Sequence, residues 1–349
     1  MVSGTNGPPD AGPLPPGQAS RPGPAGAGVR TRPPADLVGP RRRGDGIFRG
    51  LTLSAGIFVL AILVAIAVFL IAKSVPAIAQ DKGNFFTTKT WDPDGSKVFG
   101  IAALAFGTVL SSVLALILTV PLALGVAIFI VEYAPKRIAT FLGYAVDMLA
   151  AVPSVVYGLW AVYFLLKRMV PLQVFLADHF GWIPLFADPE NRAGQFSQSV
   201  LAAALILGVM ILPIIAAISR EVISQVDPAQ REGMLALGAT HWEMVRMAVL
   251  PPSRPGIVGG IMLGLGRALG ETIAIALVIG ASFTISPHIM SSGNAIAANI
   301  AVKFAEAGSL GRNALIASGL VLFAITLVVN LTARAIIYRA GAVERSAAV

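Results

Sequence analysis

The sequence predicts an all-α membrane protein: six transmembrane helices, with a pair of short helices in one inner loop. Three observations carry that reading. Charged residues are 13% of the 349-residue chain, against about 25% in a soluble domain. Six apolar runs are on the scale of the roughly 20 residues that cross a bilayer core: Leu51–Ile71, Ile101–Val131, Ile138–Leu166, Val200–Ile218, Gly256–Ile285 and Ala314–Ile337. No strand pattern stands out, and a helix satisfies its own backbone hydrogen bonds in lipid.

Residues 1–50 precede the first run. They hold ten of the 24 prolines and almost no large apolar side chain, so burial cannot offset the entropy of ordering them. A disordered cytoplasmic tail is expected there, with the membrane domain at 51–349. Leu51–Ile71 is followed by Ala77-Ile78-Ala79, which resembles a cleavage site. The run is longer than a signal peptide's, and about fifty residues precede it, so it reads as a retained span. Pro121, Pro153 and Pro213 interrupt the second, third and fourth runs and are expected to kink them.

Orientation follows from the basic residues. The net charge is +8, and Arg21, Arg30, Arg32, Arg41, Arg42, Arg43 and Arg49 crowd the tail. Placing both termini inside puts Lys136, Arg137, Arg220, Arg231, Arg246, Arg254, Arg334, Arg339 and Arg345 on the same side. The outer loops Ser74–Lys97 and Arg168–Ser199 carry Phe85, Phe86, Trp91, Phe175, Phe180, Trp182 and Phe186. Such aromatics anchor at the membrane interface, and they also suit docking of an extracytoplasmic partner.

The inner loop 219–255 is the most informative. Asp227 is a good N-cap, Pro228 suits the first helical position and Gly238 is a natural stop. Thr240 caps again with Glu243 three residues on, and the second helix is expected to end at Pro251-Pro252. A glycine-jointed helix pair also describes a DNA-reading unit, but between two spans it suits docking in another protein's groove.

The fifth run holds Gly256, Gly260 and Gly264 in one four-residue repeat and Gly266 and Gly270 in another, which let helices approach closely. Arg267 and Glu271 lie four residues apart on one face, about three turns in. Charges at that depth mark either a structural pair or a substrate path, and a guanidinium is suited to an oxyanion. Asp147 in the third run is either a carboxylate reaching the inner interface or a partner for Arg267.

Other chemistry has little support. There is no cysteine, and His179, His241 and His288 are scattered, so no metal or cofactor site and no catalytic constellation is expected. No phosphate loop of the G-x-x-x-x-G-K-[ST] type occurs, so ATP must be hydrolysed by another chain if it drives this one.

The loop resembles the signature of permease subunits of ATP-binding-cassette (ABC) importers: E-A-A, three residues, G, nine residues, I-x-L-P. Glu232, Gly238, Leu250 and Pro251 hold register, while Gly233, Met234 and Ala248 depart. The fifth run, Gly259 to Thr272, closely resembles the phosphate-specific importers and their PstC-type subunit. Ala151–Trp160 and Phe304–Ala307 favour that subunit over its PstA-type partner, and the likeness covers about residues 51–340. The resemblance implies a catalytically inert subunit in a bacterial cell membrane. It implies a PstA-like second permease, a PstB-like ATPase dimer docked on the loop helix and a PstS-like extracytoplasmic phosphate-binding protein, with no nucleic acid. It gives Arg267 and Glu271 a functional role. Alternatives are a permease for molybdate or sulfate, the PstA-type subunit itself, or, in other classes, a passive channel or a membrane enzyme.

Overall fold

The computed structural model describes residues 43–187 and 198–347; most of the expected tail, residues 1–42, lies outside them. The chain divides into two units, Met1–Val59 and Leu60–Val349. The described part of the first is helical from Arg43, the start of α1 (Arg43–Gln80). Its apolar side chains face outward, Phe58 at 67% exposure, as lipid-facing residues do.

In the second unit, α1 gives way to a two-residue antiparallel ladder that the sequence did not announce. β1 (Trp91–Asp92) pairs with β2 (Val98–Phe99), Trp91 opposite Phe99. Asp92 accepts from Gly95 N at 3.1 Å and Ser96 N at 2.8 Å, and these bonds, Ser96's first, hold its carboxyl below the usual aspartate range. Asp94 accepts from the Gly308 and Gly311 amides at 2.8 and 2.9 Å.

α2 (Ala102–Ile128) runs through Pro121 and ends in a π-helical turn, Phe129–Tyr133. α3 (Lys136–Ala151) stops at Val152-Pro153, both extended. Proline disfavours helix for the residue before it, so Pro153 breaks the chain rather than kinking it. The third span is therefore Ser154–Phe180, not Ile138–Leu166. It consists of α4 (Ser154–Trp160), a π turn (Ala161–Leu165) and α5 (Leu166–Phe180). Asp147 consequently lies on α3, outside that span, and Phe175 and Phe180, expected in a loop, are helical. Residues 188–197, with Arg192, lie outside the described residues.

α6 (Val200–Ser224) is the central helix, packed against α2 and α3. Ile206, Leu207, Met210, Ile211 and Ile215 are fully buried. Its N-cap Ser199 accepts from Ala202 N at 3.1 Å and also receives Gln173 Nε2 at 2.9 Å. After α6 come α7 (Pro228–Ala236), α8 (His241–Met244), a π turn (Val245–Val249) and α9 (Leu250–Gly270). α10 (Ile273–Val278), α11 (Ile296–Lys303) and α12 (Ser309–Ala347) complete the fold.

Among the described residues five helical runs are long and apolar enough to cross a membrane: Gly46–Gln80, Ala102–Tyr133, Ser154–Phe180, Val200–Ser224 and Ser309–Ala335. The fifth expected run, Gly256–Ile285, is two helices, because α9 ends at Gly270 and Glu271 is extended with φ −68 and ψ 131.

Candidate functional site

Two places collect the expected functional residues. The first is the loop between α6 and α9. Asp227 Oδ1 accepts from Ala229 N at 2.9 Å and Pro228 opens α7. Gly238 turns the chain with φ +86, in the left-handed region where glycine pays no steric penalty. Thr240 and Glu243 form a reciprocal capping box on α8. The Thr240 backbone N–H and then its hydroxyl hold the Glu243 carboxyl below the usual glutamate range.

One expectation about this loop is corrected. The second short helix does not end at Pro251-Pro252. It passes through the π turn into α9, whose first turn contains both prolines. Proline is tolerated there because first-turn amides have no partner within the helix.

The loop is tied down on one side. Arg231 Nε lies 3.2 Å from Glu132 Oε1, and its Nη1 and Nη2 donate to the Val226 and Ile223 carbonyls at 2.8 Å each. His241 Nε2 bonds the Glu132 carbonyl at 3.1 Å and its ring meets Tyr133 edge-on at 4.8 Å. The opposite side is open: Glu232 is exposed, Leu237 is 86% exposed, and Leu235, Trp242 and Met247 stand out with it. An apolar group on a polar, capped loop is the anatomy of a docking knob. The other histidines also bond backbone carbonyls, His179 to Phe175 and His288 to Pro184.

The second place is α9. Its glycines face two ways. A Cβ at Gly256, Gly260 or Gly264 would stand 2.6, 3.0 or 2.9 Å from Val222, Ile218 or Ile215 of α6. That repeat is a packing face. Gly259 and Gly266 have nothing within 4 Å of where a Cβ would stand. They line a groove of about 690 Å³ between α9 and α12 that also holds Arg267, Asn330 and Arg334.

Arg267 occupies the last turn of α9, where a cation faces the negative end of the helix dipole. On α4 the Tyr157 hydroxyl donates to the Leu149 carbonyl at 2.9 Å. Among the described residues Arg267 and Glu271 form no ion pair. The four-residue spacing places side chains together only on a continuous helix, and α9 stops between them. Asp147 does not reach Arg267 either. Both its oxygens accept from Arg220 Nη2, at 3.2 and 3.1 Å. Sequence reading had placed Arg334 in an inner terminus and passed over Asn330; the available signal was their one-turn spacing at the end of the last apolar run.

The family model of the "Binding-protein-dependent transport system inner membrane component" matches residues 119–340. The chain is 41% identical over 301 residues to the phosphate transport system permease protein PstC 2 of Mycobacterium tuberculosis, covering 85% of this chain and 93% of that protein. It is 42% identical over 274 residues to PstC of Mycobacterium leprae, covering 77% and 86%, and 38% identical over 298 residues to PstC of Haemophilus influenzae, covering 84% and 93%. A crystal structure of a bacterial ABC transporter involved in the import of the acidic polysaccharide alginate is similar in fold, with a TM-score of 0.55 and 18% identity over 85% of this chain and 96% of that one.

Proposed function

The chain belongs to the binding-protein-dependent transport system inner membrane components and is a multi-pass permease subunit of a phosphate importer, and from that premise we propose that Arg267 is the phosphate-handling residue of its translocation path. The observation that carries the proposal is that, among the described residues, the guanidinium of Arg267 lines the open groove between α9 and α12 with no ion-pair partner. Phosphate loses hydration on entering a low-dielectric path, and a forked, permanently charged donor replaces part of it. Glu271, on the extended residue that ends α9, acts beside it by repelling an anion that lingers. Asp147 belongs to the path only indirectly, by fixing α3 to α6 through Arg220.

The loop 219–255 is the coupling element. Glu232, Gly238, Leu250 and Pro251 shape it, and the open side of α7 and α8 enters a cleft of a PstB-like ATPase dimer. A PstA-like second permease completes the path, and a PstS-like extracytoplasmic binding protein delivers phosphate. Both termini lie in the cytoplasm, residues 1–50 form a cytoplasmic tail ahead of the permease domain 51–349, and ATP is hydrolysed on the partner chain.

Uptake of labelled phosphate by the assembled importer tests the central proposal. Arg267→Gln should abolish uptake, and Arg267→Lys, which keeps charge but loses the fork, should impair it. Near-normal uptake by Arg267→Gln in fully assembled complex would overturn it. Molybdate or sulfate competing as well as phosphate would favour the broader oxyanion reading.

A further inference from the structure

We propose that Arg334 and Asn330 form a second anion station in the α9–α12 groove, on the coupling-loop side of Arg267, which receives phosphate from Arg267 before release. The inference rests on Arg267 being the first station, as proposed above. Three features of the groove support it.

The first is placement. Arg267 and Arg334 line one cavity, from different helices. α10 packs on α11 and α11 on α12, so α12 starts at the far end of α9 and runs back along it toward the loop that precedes α9. Arg334 lies about 38 Å of helix from Ser309, at 1.5 Å per residue, close to the inner edge of a core about 30 Å thick. Gly259, which shares the cavity, lies about 12 Å along α9 from Arg267 toward the same edge. The groove therefore extends from one guanidinium toward the other.

The second is charge. No carboxylate among the described residues lines the cavity. Among the described residues neither arginine has an ion-pair partner. Two like charges beside one low-dielectric space repel each other, and a multiply charged oxyanion is the ligand that relieves both. Asn330 stands one helical turn before Arg334 on the same face and adds amide donors to the guanidinium fork.

The third is the floor. Gly259 and Gly266 leave open space beside Met262 and Leu263 on the α9 side of the groove, room in which a hydrated anion passes between the two guanidinium groups. Stepwise transfer between two moderate sites also answers the need to bind and yet release.

The same chemistry would hold a lipid phosphate, so the test separates the two sources. The complete importer, reconstituted in proteoliposomes, is assayed for uptake of inorganic phosphate per ATP hydrolysed, normalised to assembled complex. Arg334→Gln should lower maximal uptake roughly tenfold, the scale of one charge-assisted hydrogen bond, with little change in the half-saturating phosphate concentration. Arg334→Lys should recover most of it, which a folding defect would not explain, and Asn330→Leu should give a smaller loss. Wild-type uptake by Arg334→Gln, alongside loss in Arg267→Gln, would overturn the second station and leave the first standing. Wild-type uptake by both would overturn the two together. If the Arg334→Gln defect disappears in vesicles of phosphatidylcholine alone and is present only with phosphatidylglycerol, Arg334 holds a lipid headgroup and the inference fails.

Discussion

Arg231 and Glu132 close a 3.2 Å ion pair across 99 residues of chain, with the Glu132 side chain only 5% exposed. The pair fastens α7 to the π turn that ends α2. Removing the guanidinium leaves a carboxylate with little water and frees two carbonyls at the end of α6. Arg231→Ala should therefore destabilise the loop by about 2 kcal/mol. Amide exchange in α7 should quicken, and ATP hydrolysis should continue with less uptake. Glu132→Gln should be milder, because the carbonyl bonds of Arg231 survive. Equal effects of the two variants would show that the pair alone holds the loop.

Gly238 has open space around it, so its requirement is one of backbone alone. Gly238→Asn, which tolerates the left-handed region, should assemble and couple well, whereas Gly238→Val should lose about 1–2 kcal/mol. Gly238→Asp places a charge on the docking side and should uncouple hydrolysis from uptake. Thermal unfolding and coupled uptake measure the two effects separately.

The two glycine faces of α9 make opposite predictions. Gly260→Leu should prevent assembly, because its Cβ already meets Ile218 at 3.0 Å. Gly266→Leu should assemble, since nothing stands near it, but should obstruct the groove and slow uptake. Membrane yield and transport, measured on the same preparations, distinguish packing from passage.

Asp94 caps the start of α12 from the segment after α1. Asp94→Ala removes the acceptor for two amides and should cost about 1 kcal/mol, as loss of a cap does. Asp94→Asn should keep most of the capping. Exchange protection at Gly308 and Gly311 is the direct readout.

The Glu243 capping box predicts a pH dependence. Its folded carboxyl titrates below the usual glutamate range, so its contribution is present above the unfolded value and disappears as the pH falls through the folded one. The start of α8 should loosen on acidification below that range. Thr240→Ala, which keeps the backbone N–H but loses the hydroxyl, should weaken the dependence, and Glu243→Gln should abolish it, observed as exchange of the α8 amides against pH.

What the sequence made legible was whatever composition and local chemistry control. Long apolar runs located four of the five continuous spans and displaced the third, and Asp227, Pro228, Gly238 and Thr240 located the loop helices, because caps and turns act within a few residues. The break at Pro153 was read as a kink and the one at Glu271 was missed, because apolar composition continues through both. Asp147 could not be paired by reading, since Arg220 lies 73 residues away. Arg334 was hidden by its position at the edge of a span, where a basic residue ordinarily reports orientation. Its place beside Arg267 depends on how α12 returns along α9.

The interruption at Glu271 bears on how the protein is made. α10 is six residues long, about 9 Å of helix, far short of a bilayer core. The fifth segment thus reaches the insertion machinery as one glycine-rich helix and a fragment, with Arg267 and Glu271 at the join. Its entry into lipid depends on α6, already in place and fitted to Gly256, Gly260 and Gly264. A nascent chain that ends after α10 should therefore remain loosely inserted and open to membrane proteases until α12 emerges, so the last two spans mature as a unit.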